Sequence, residues 1–511
     1  MKRRHLRVLE PVMRCAVAVT VAAALGTPLH LSAQVTTAQY DNARTGAALH
    51  ETVLTPAKVK AGFGRVATLP VDGDVYAQPL YFQNTLIVAT ENNSVYAFDA
   101  RSLRTTPLWH VNLGTPLSSR DVRCPFIRPN VGITPTPVID PASGSIYVLA
   151  RTTGSGTYEQ TLHRLDIRDG RDLAPATPIT ASVPGTGIDA VHGVVSFDPL
   201  RENPRAALLL DHGVVYLAWA SSCDVAPYHG WVMAYDAKTL KQRAVLNTSP
   251  DGADAGIWQG DAGLAADSAG HVYAATGNGS FDTAGTRRRN FGSSVLQLTL
   301  GDTTLTVTDF FTPWNQASLT TDDEDLGSSG PILVPGRLIV LTGKDGMTYV
   351  VNRNAMGKFG TTDQGRAVQS LRTSNGGFGA AAYWNHTVYI WGSDDVMKAY
   401  AVARGGLTLR EASRVKATDP GSTPTVSANG DRQGIVWAIE TRTWNGQDKP
   451  AVLHAFDASD VRVELFNSGV NPRRDGAGPA TRFAIPTVAA GRVYVGAKGE
   501  VDVYEVLAGA R

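Results

Sequence analysis

The chain has 511 residues, 43% hydrophobic and 18% charged, with 51 Gly and 28 Pro, so it can bury a sizeable core and is too apolar to remain disordered. Its 47 basic and 46 acidic residues leave a net charge of +1, which gives no electrostatic footprint for nucleic acid or an anionic membrane. Low charge, abundant Gly and 9 Trp, 16 Tyr and 14 Phe suit many short strands joined by tight turns and argue against a long-helix protein.

Residues 1–33 read as an export signal. Lys2, Arg3, Arg4, Arg7 and Arg14 precede or open an apolar run from Cys15 to Leu25, and Leu31-Ser32-Ala33 follows, which sets cleavage after Ala33. The alternative is an uncleaved membrane anchor, for which the run is short. Cys15 lies before the apolar stretch, where a lipoprotein cysteine would not, and leaves with the signal. The expected mature chain, 34–511, is then periplasmic or secreted and spans no membrane. It holds Cys124 and Cys223 in an oxidising compartment, as a disulfide or as two free thiols. No Cys-x-x-Cys-His occurs, so covalently held haem is excluded, and no Cys/His cluster has zinc-like spacing.

From Pro79 onward one pattern recurs: a short apolar strand, a turn, a β-branched and aromatic strand, another turn, and a third strand carrying aromatic and acidic residues. The second strands centre on Leu86-Ile87-Val88, Ile146-Tyr147-Val148, Val214-Val215-Tyr216, Val272-Tyr273-Ala274, Leu338-Ile339-Val340, Thr387-Val388-Tyr389, Ile435-Val436-Trp437 and Val493-Tyr494-Val495. Eight such units, roughly 50 to 70 residues apart and each too small to bury its own faces, predict an all-β fold, a single eight-bladed β-propeller of four-stranded antiparallel blades. Gly64–Pro70, ahead of the first unit, is expected to close the ring as the outer strand of the last blade. Two consecutive β-domains are the rival arrangement, but no Pro/Ser-rich linker divides the chain.

The third strands carry Ala97-Phe98-Asp99, Ala234-Tyr235-Asp236 and Ala455-Phe456-Asp457. These resemble the Ala-x-Asp-x-x-Thr-Gly-x-x-x-Trp docking signature of quinoprotein dehydrogenases, propellers that bind pyrroloquinoline quinone (PQQ). Only Trp109 approximates the signature's Trp, two positions late; Ala244 and Leu465 stand there elsewhere. The signature concerns packing between blades and so speaks to fold.

In a propeller, the connections between blades and the loops between second and third strands share one face and converge around the axis. Cys124 and Cys223 both fall on that face. Four segments there resemble the quinoprotein alcohol dehydrogenase site. Ser221–Asp236 resembles the stretch bearing a calcium-ligating Glu; Val225 holds the aligned position and Asp224 is one place off. Trp258-Gln259-Gly260-Asp261 with Thr276-Gly277-Asn278 resembles the family's quinone-stacking Trp and calcium-binding Asn, and an apolar platform with hard oxygen ligands suits those tasks. Thr312-Pro313 with Asp322-Asp323-Glu324-Asp325 is similar to a Thr-Pro motif followed by Asp-x-x-Asp. The resemblance makes Asp322 and Asp325 the candidate base, with Asp322 also a calcium ligand. Gly343-Lys344-Asp345-Gly346, the closest match, resembles a hairpin whose basic residue hydrogen-bonds the quinone oxygens, a fixed positive charge beside an oxygen that becomes negative. The same residues also suit ordinary roles: blade packing for Trp258, a turn for Asn278, a solvated loop for the acidic run and a hairpin turn for Lys344. The family's adjacent cysteine pair is missing.

His192 and His229 are expected in loops of the same face, where they would hydrogen-bond a substrate or play structural parts. No Gly-x-Ser-x-Gly, P-loop or His-Glu-x-x-His appears, which argues against hydrolase, nucleotide and zincin readings. Two functions remain. One is an exported PQQ- and calcium-dependent dehydrogenase acting on an alcohol or sugar, a small-molecule substrate. The other is a propeller that keeps the fold without the redox site and serves as a binding or envelope-assembly module.

Overall fold

The computed structural model describes residues 33–284, 288–403, 405–441 and 448–509; the export-signal reading therefore lies, but for Ala33, outside the described residues. The described chain forms one compact unit, an eight-bladed β-propeller of four-stranded antiparallel blades. The eight units expected from the sequence are the eight blades. Blade 1, for example, runs Leu80–Phe82, Thr85–Ala89, Ser94–Asp99, Trp109–Asn112 from the axis outward. Blades 1, 3, 6 and 8 turn from first to second strand on two residues of positive φ: Gln83-Asn84, His212-Gly213, Asn385-His386 and Ala490-Gly491. That left-handed pair matches the twist of paired strands, which is why so few residues suffice.

The ring is closed by the N-terminal part of the chain, as expected. Phe63–Asp74 lies antiparallel to the second arm of Arg492–Val506, with Phe63 opposite Val506, while the first arm of that strand pairs with Thr487–Ala489. Sequence reasoning did not find a second closure, made by residues 35–51. This segment bonds to the innermost strand of every blade in turn. Val35 exchanges backbone bonds with Tyr81, and the carbonyl of Thr36 accepts from Ile139. Asn42 donates its amide to Leu210 O at 2.8 Å and accepts from Ala266 N. Ala43, Thr45 and Gly46 accept from Leu333, Tyr383 and Val426, and the Tyr40 hydroxyl accepts from Val488 N at 2.7 Å. At its centre the fully buried Arg44 guanidinium donates to Leu264 O, Leu208 O, Ala38 O and the Thr37 hydroxyl at 2.7 to 3.2 Å. Gly263 is needed there, since a Cβ on it would stand 2.5 Å from the guanidinium.

Adjacent blades are tied at the corner after the third strand. The acidic residue there folds the corner by accepting backbone N–H bonds two residues on, as Asp99 does from Arg101, Asp166 from Arg168, Asp236 from Lys238 and Asp457 from Ser459. The carbonyl of the next residue then faces the preceding blade. Ile167 O accepts from the Trp109 indole, Ala237 O from Tyr147, Ala458 O from Tyr389, and Ala100 O from Arg492. Arg353 O, after Asn352, accepts from Gln297. Trp109 is thus a docking Trp despite its shifted place.

Replacing Arg44 by Met leaves four buried acceptors without their charged donor. Each such loss costs about 1 kcal/mol or more, so Arg44→Met should lower the unfolding free energy by about 3 kcal/mol, read from the urea midpoint; a change within about 0.5 kcal/mol, the usual range for a surface substitution, would show that the segment is not a structural tie.

Candidate functional site

The connections that lead into the inner strands meet on one face around a cavity of about 160 Å³, far above the roughly 10–15 Å³ that a single water needs. Trp258, Asp224, Asp325 and Lys344 all line it, from four separate segments of blades 3 to 5, and so do Cys124 and Cys223. The two cysteines form a disulfide, with Cα atoms 5.5 Å apart, that ties the connection between blades 1 and 2 to a loop of blade 3.

Trp258 enters blade 4 with its indole N–H buried and without a partner; the Tyr228 ring meets it edge-on at 6.3 Å. Gly277 lets Trp258 and Asp325 close in, because a Cβ there would lie 2.7 Å from the indole and 2.2 Å from the carboxylate. Next to it, the Asn278 backbone N–H donates to Asp325 Oδ1 at 2.8 Å. The Asn278 side chain donates to Asp323 at 3.2 Å, while its Oδ1 is a buried acceptor with no partner.

Of the acidic run only Asp325 reaches the cavity. The helix Gln316–Thr321 intervenes after Pro313, Asp322 terminates it in solvent, and Asp323, with φ 57°, turns the chain so that Asp325 points inward. Asp322 therefore stands away from the site that its spacing suggested. Asp323 binds Lys344 Nζ at 2.7 Å, and Asp325 Oδ2 lies 3.9 Å from the same ammonium.

Burial drives the Asp325 carboxyl up to about 7, against the lowering effect of the Asn278 N–H and Lys344, with Asp224 and Asp323 pushing the same way as burial. Asp224, held by the Tyr228 hydroxyl at 2.9 Å, is also raised, first by desolvation and then by Asp323. Two carboxyls raised chiefly by burial, with Asp224 adding to the rise of Asp325, stand beside an orphaned amide oxygen and make an oxygen-rich corner with Lys344 at its edge. Among the described residues no cluster of three or more His, Cys, Asp or Glu is placed to hold a metal, so a cation here would draw on Asp224, Asp325 and the Asn278 amide oxygen.

His229 is wholly buried between Asp189 and Ser249, each at 2.9 Å, and is structural; His192 is exposed in a turn. Arg205, Arg482 and the aromatic rings of Phe126, Phe378 and Phe483 also line the cavity and escaped the sequence reading. Among the described residues no helix is long and apolar enough to cross a membrane.

No family model matches the chain, and no curated protein matches it in sequence. Its structure is similar to that of the quinohemoprotein alcohol dehydrogenase from Comamonas testosteroni, with a TM-score of 0.60 at 14% identity over 93% of this chain and 80% of that one. A europium-containing methanol dehydrogenase matches at 0.61 and 13% over 93% and 98%. The fold is that of the quinoprotein alcohol dehydrogenases. BamB from Moraxella catarrhalis is a more distant likeness, at 0.50 and 13% over 87% and 99%. The quinoprotein fold places these connections around the axis; the side chains on them are this chain's own.

Asp325 also makes a pH test. In the unfolded chain its carboxyl titrates at the ordinary 3.8, in the folded protein at about 7. Between the two the folded state binds the extra proton, so stability falls as pH rises, by up to about 1.4 kcal/mol per unit, and levels off above about 7. In chelator-treated protein, Asp325→Asn should lose that share of the slope in urea unfolding between about pH 4.5 and 8; identical slopes would mean that the carboxyl is ionised throughout.

Proposed function

We propose that this chain is an exported dehydrogenase that oxidises an alcohol or sugar at the cavity, with PQQ and calcium as its cofactors. What carries the reading is the arrival of Trp258, Asn278, Asp325 and Lys344 at one place, together with the partnerless buried Asn278 Oδ1. The residues fit both groups: a flat indole for a planar ring system, a cation beside it for oxygens that gain charge, and oxygen donors of the kind calcium takes. When bound, the quinone supplies a two-electron acceptor that no side chain offers, and calcium a Lewis acid.

The chain's own residues do the rest. Trp258 presents a fixed face because Gly277 lets it pack against the start of the next blade. Lys344 holds a positive charge in place through Asp323 and strengthens any bond to an oxygen that becomes more negative. Asp325, with a carboxyl near 7 in the absence of a cation, accepts the substrate hydroxyl proton as the adjacent C–H leaves as hydride; bound calcium would hold it ionised for that task.

The disulfide supports an oxidising compartment, periplasmic or extracellular. With Cys124 and Cys223 joined to each other, no thiol outside residues 1–32 remains to anchor a haem covalently. Near-neutral charge supports a small-molecule partner over a nucleic acid.

Reconstitution with PQQ and calcium, followed by cofactor absorbance and by dye reduction with a panel of alcohols and aldoses, tests the reading. Binding at micromolar PQQ is expected, weakened about tenfold by Lys344→Ala. Asp325→Asn should cut turnover by about 10² or more, the usual worth of a general base, while Asp322→Asn changes neither. Absence of PQQ binding would sink the enzyme and leave the propeller as a binding or assembly module. Binding indifferent to both Lys344→Ala and Asp325→Asn would remove the residue assignment.

A further inference from the structure

Each of the three oxygen-bearing groups at the acidic corner is tied back at one end. The Asp224 carboxylate accepts from the Tyr228 hydroxyl through Oδ1 at 2.9 Å, which leaves Oδ2. The Asn278 amide donates from Nδ2 to Asp323 Oδ1 at 3.2 Å, which turns its own Oδ1 the other way, and that oxygen is buried with no partner. The Asp325 carboxylate accepts from the Asn278 backbone N–H through Oδ1 at 2.8 Å, and its Oδ2 lies 3.9 Å from Lys344 Nζ. One oxygen of each group therefore remains for a ligand, and the tie at the opposite end decides where it points. Two of the three ties come from side chains, Tyr228 and Asp323, neither of which is among the residues lining the cavity.

Both of these side chains are themselves held. Tyr228 is only 3% exposed; its carbonyl accepts from the Asp254 N–H at 3.0 Å, and the next residue, His229, is pinned between Asp189 and Ser249. Its ring meets the Trp258 indole edge-on, so the tyrosine that orients Asp224 also braces the aromatic platform. Asp323 follows the helix Gln316–Thr321 in a left-handed turn, which the Glu324 N–H closes by donating to Leu319 O at 2.8 Å. Its Oδ1 serves Asn278, and its Oδ2 accepts from Lys344 Nζ at 2.7 Å. A group bonded behind a metal ligand fixes the ligand's orientation, and its loss costs about ten- to hundredfold in metal affinity.

We infer that Tyr228 and Asp323 are the positioning residues of the calcium site: Tyr228 aims Asp224, and Asp323 aims the Asn278 amide, so that both present an oxygen beside Asp325. The inference deepens the dehydrogenase reading and rests on it for the identity of the cation, though not for the redox chemistry. It also accounts for Val225 at the place where the resemblance puts a calcium-ligating Glu. The carboxylate stands one residue earlier, on a left-handed Asp224, and a tyrosine four residues on holds it in place.

Calorimetric titration of calcium into the chelator-treated full chain, with and without PQQ, tests it. Tyr228→Phe, which removes only the hydroxyl, should weaken calcium about tenfold. It should add nothing in a chain already carrying Asp224→Ala, because it acts through Asp224 alone. Asp323→Ala should also weaken calcium about tenfold. Asp323→Asn keeps an acceptor for the Asn278 amide and suits the left-handed turn, so it should bind calcium as Asp322→Asn does, which removes the same charge without touching the tie. Circular dichroism checks that each variant folds. Calcium affinity unchanged in Tyr228→Phe and Asp323→Ala, or a Tyr228→Phe effect that persists beside Asp224→Ala, overturns the inference and leaves the dehydrogenase reading intact. Asp323→Asn as weak as Asp323→Ala overturns the role of Asp323, since charge alone would then explain it. No calcium binding to the unaltered chain at millimolar concentration, with PQQ or without, overturns the whole inference. If the variants weaken calcium as expected while PQQ never binds, the redox reading fails and the positioning roles stand.

Discussion

Ring closure is the constraint on which the rest of this protein depends. No blade buries both of its faces alone, so the core exists only when eight sheets stand side by side and the last meets the first. The N-terminal part of the chain closes the circle twice. Phe63–Asp74 completes blade 8 from outside, and residues 35–51 tie the innermost strands together from within. The inner tie also reaches the site. Arg205 stands three residues before Leu208, whose carbonyl accepts from Arg44, and Phe378 three before Ala381, whose carbonyl accepts from Gln39. Side chains that line the cavity are thus placed by a segment that does not itself line it.

The blades were legible because their second strands are short β-branched runs bounded by turn residues, a local signal repeated eight times. Residues 35–51 gave no such signal. Thr36-Thr37-Ala38-Gln39-Tyr40-Asp41-Asn42 is polar and aperiodic, reads as a linker, and acquires its role only from partners hundreds of residues away. The cavity shows the same division. Trp258, Asn278 and Lys344 sit in stretches whose residue order resembles a known motif, and the acidic run was found with its register undecided. The helix Gln316–Thr321 is what selects Asp325 over Asp322. Arg205 and Arg482 lie in no motif. What could have singled them out is position, since each stands just upstream of an inner strand, as Trp258 and Asp325 do.

The blade joints show why the docking signature looks degraded while the ring is intact. What recurs is an acceptor: a carbonyl presented by a corner that Asp or Asn folds. The donors are Trp109, Tyr147, Gln297, Tyr389 and Arg492, chemically unlike but all able to reach it. Four kinds of side chain at five joints meet one geometric requirement, so a sequence pattern written around Trp misses most of them.

The disulfide works locally. Cys124 and Cys223 are 99 residues apart, but blades 1 to 3 already bring their loops to one face, so in the native state the bond fixes the mouth of the cavity and the ring does not need it to stay closed. Cys223 and Asp224 both have positive φ, at 56° and 51°, a conformation that L-residues adopt reluctantly. Two such residues in succession persist when the surroundings hold them, the disulfide on one and the Tyr228 hydroxyl on the other. The turn they make carries Asp224 over the acidic corner, where its charge raises Asp325. The same covalent tie that joins two loops at the cavity therefore also positions Asp224, one of the groups that add to the effect of burial on Asp325.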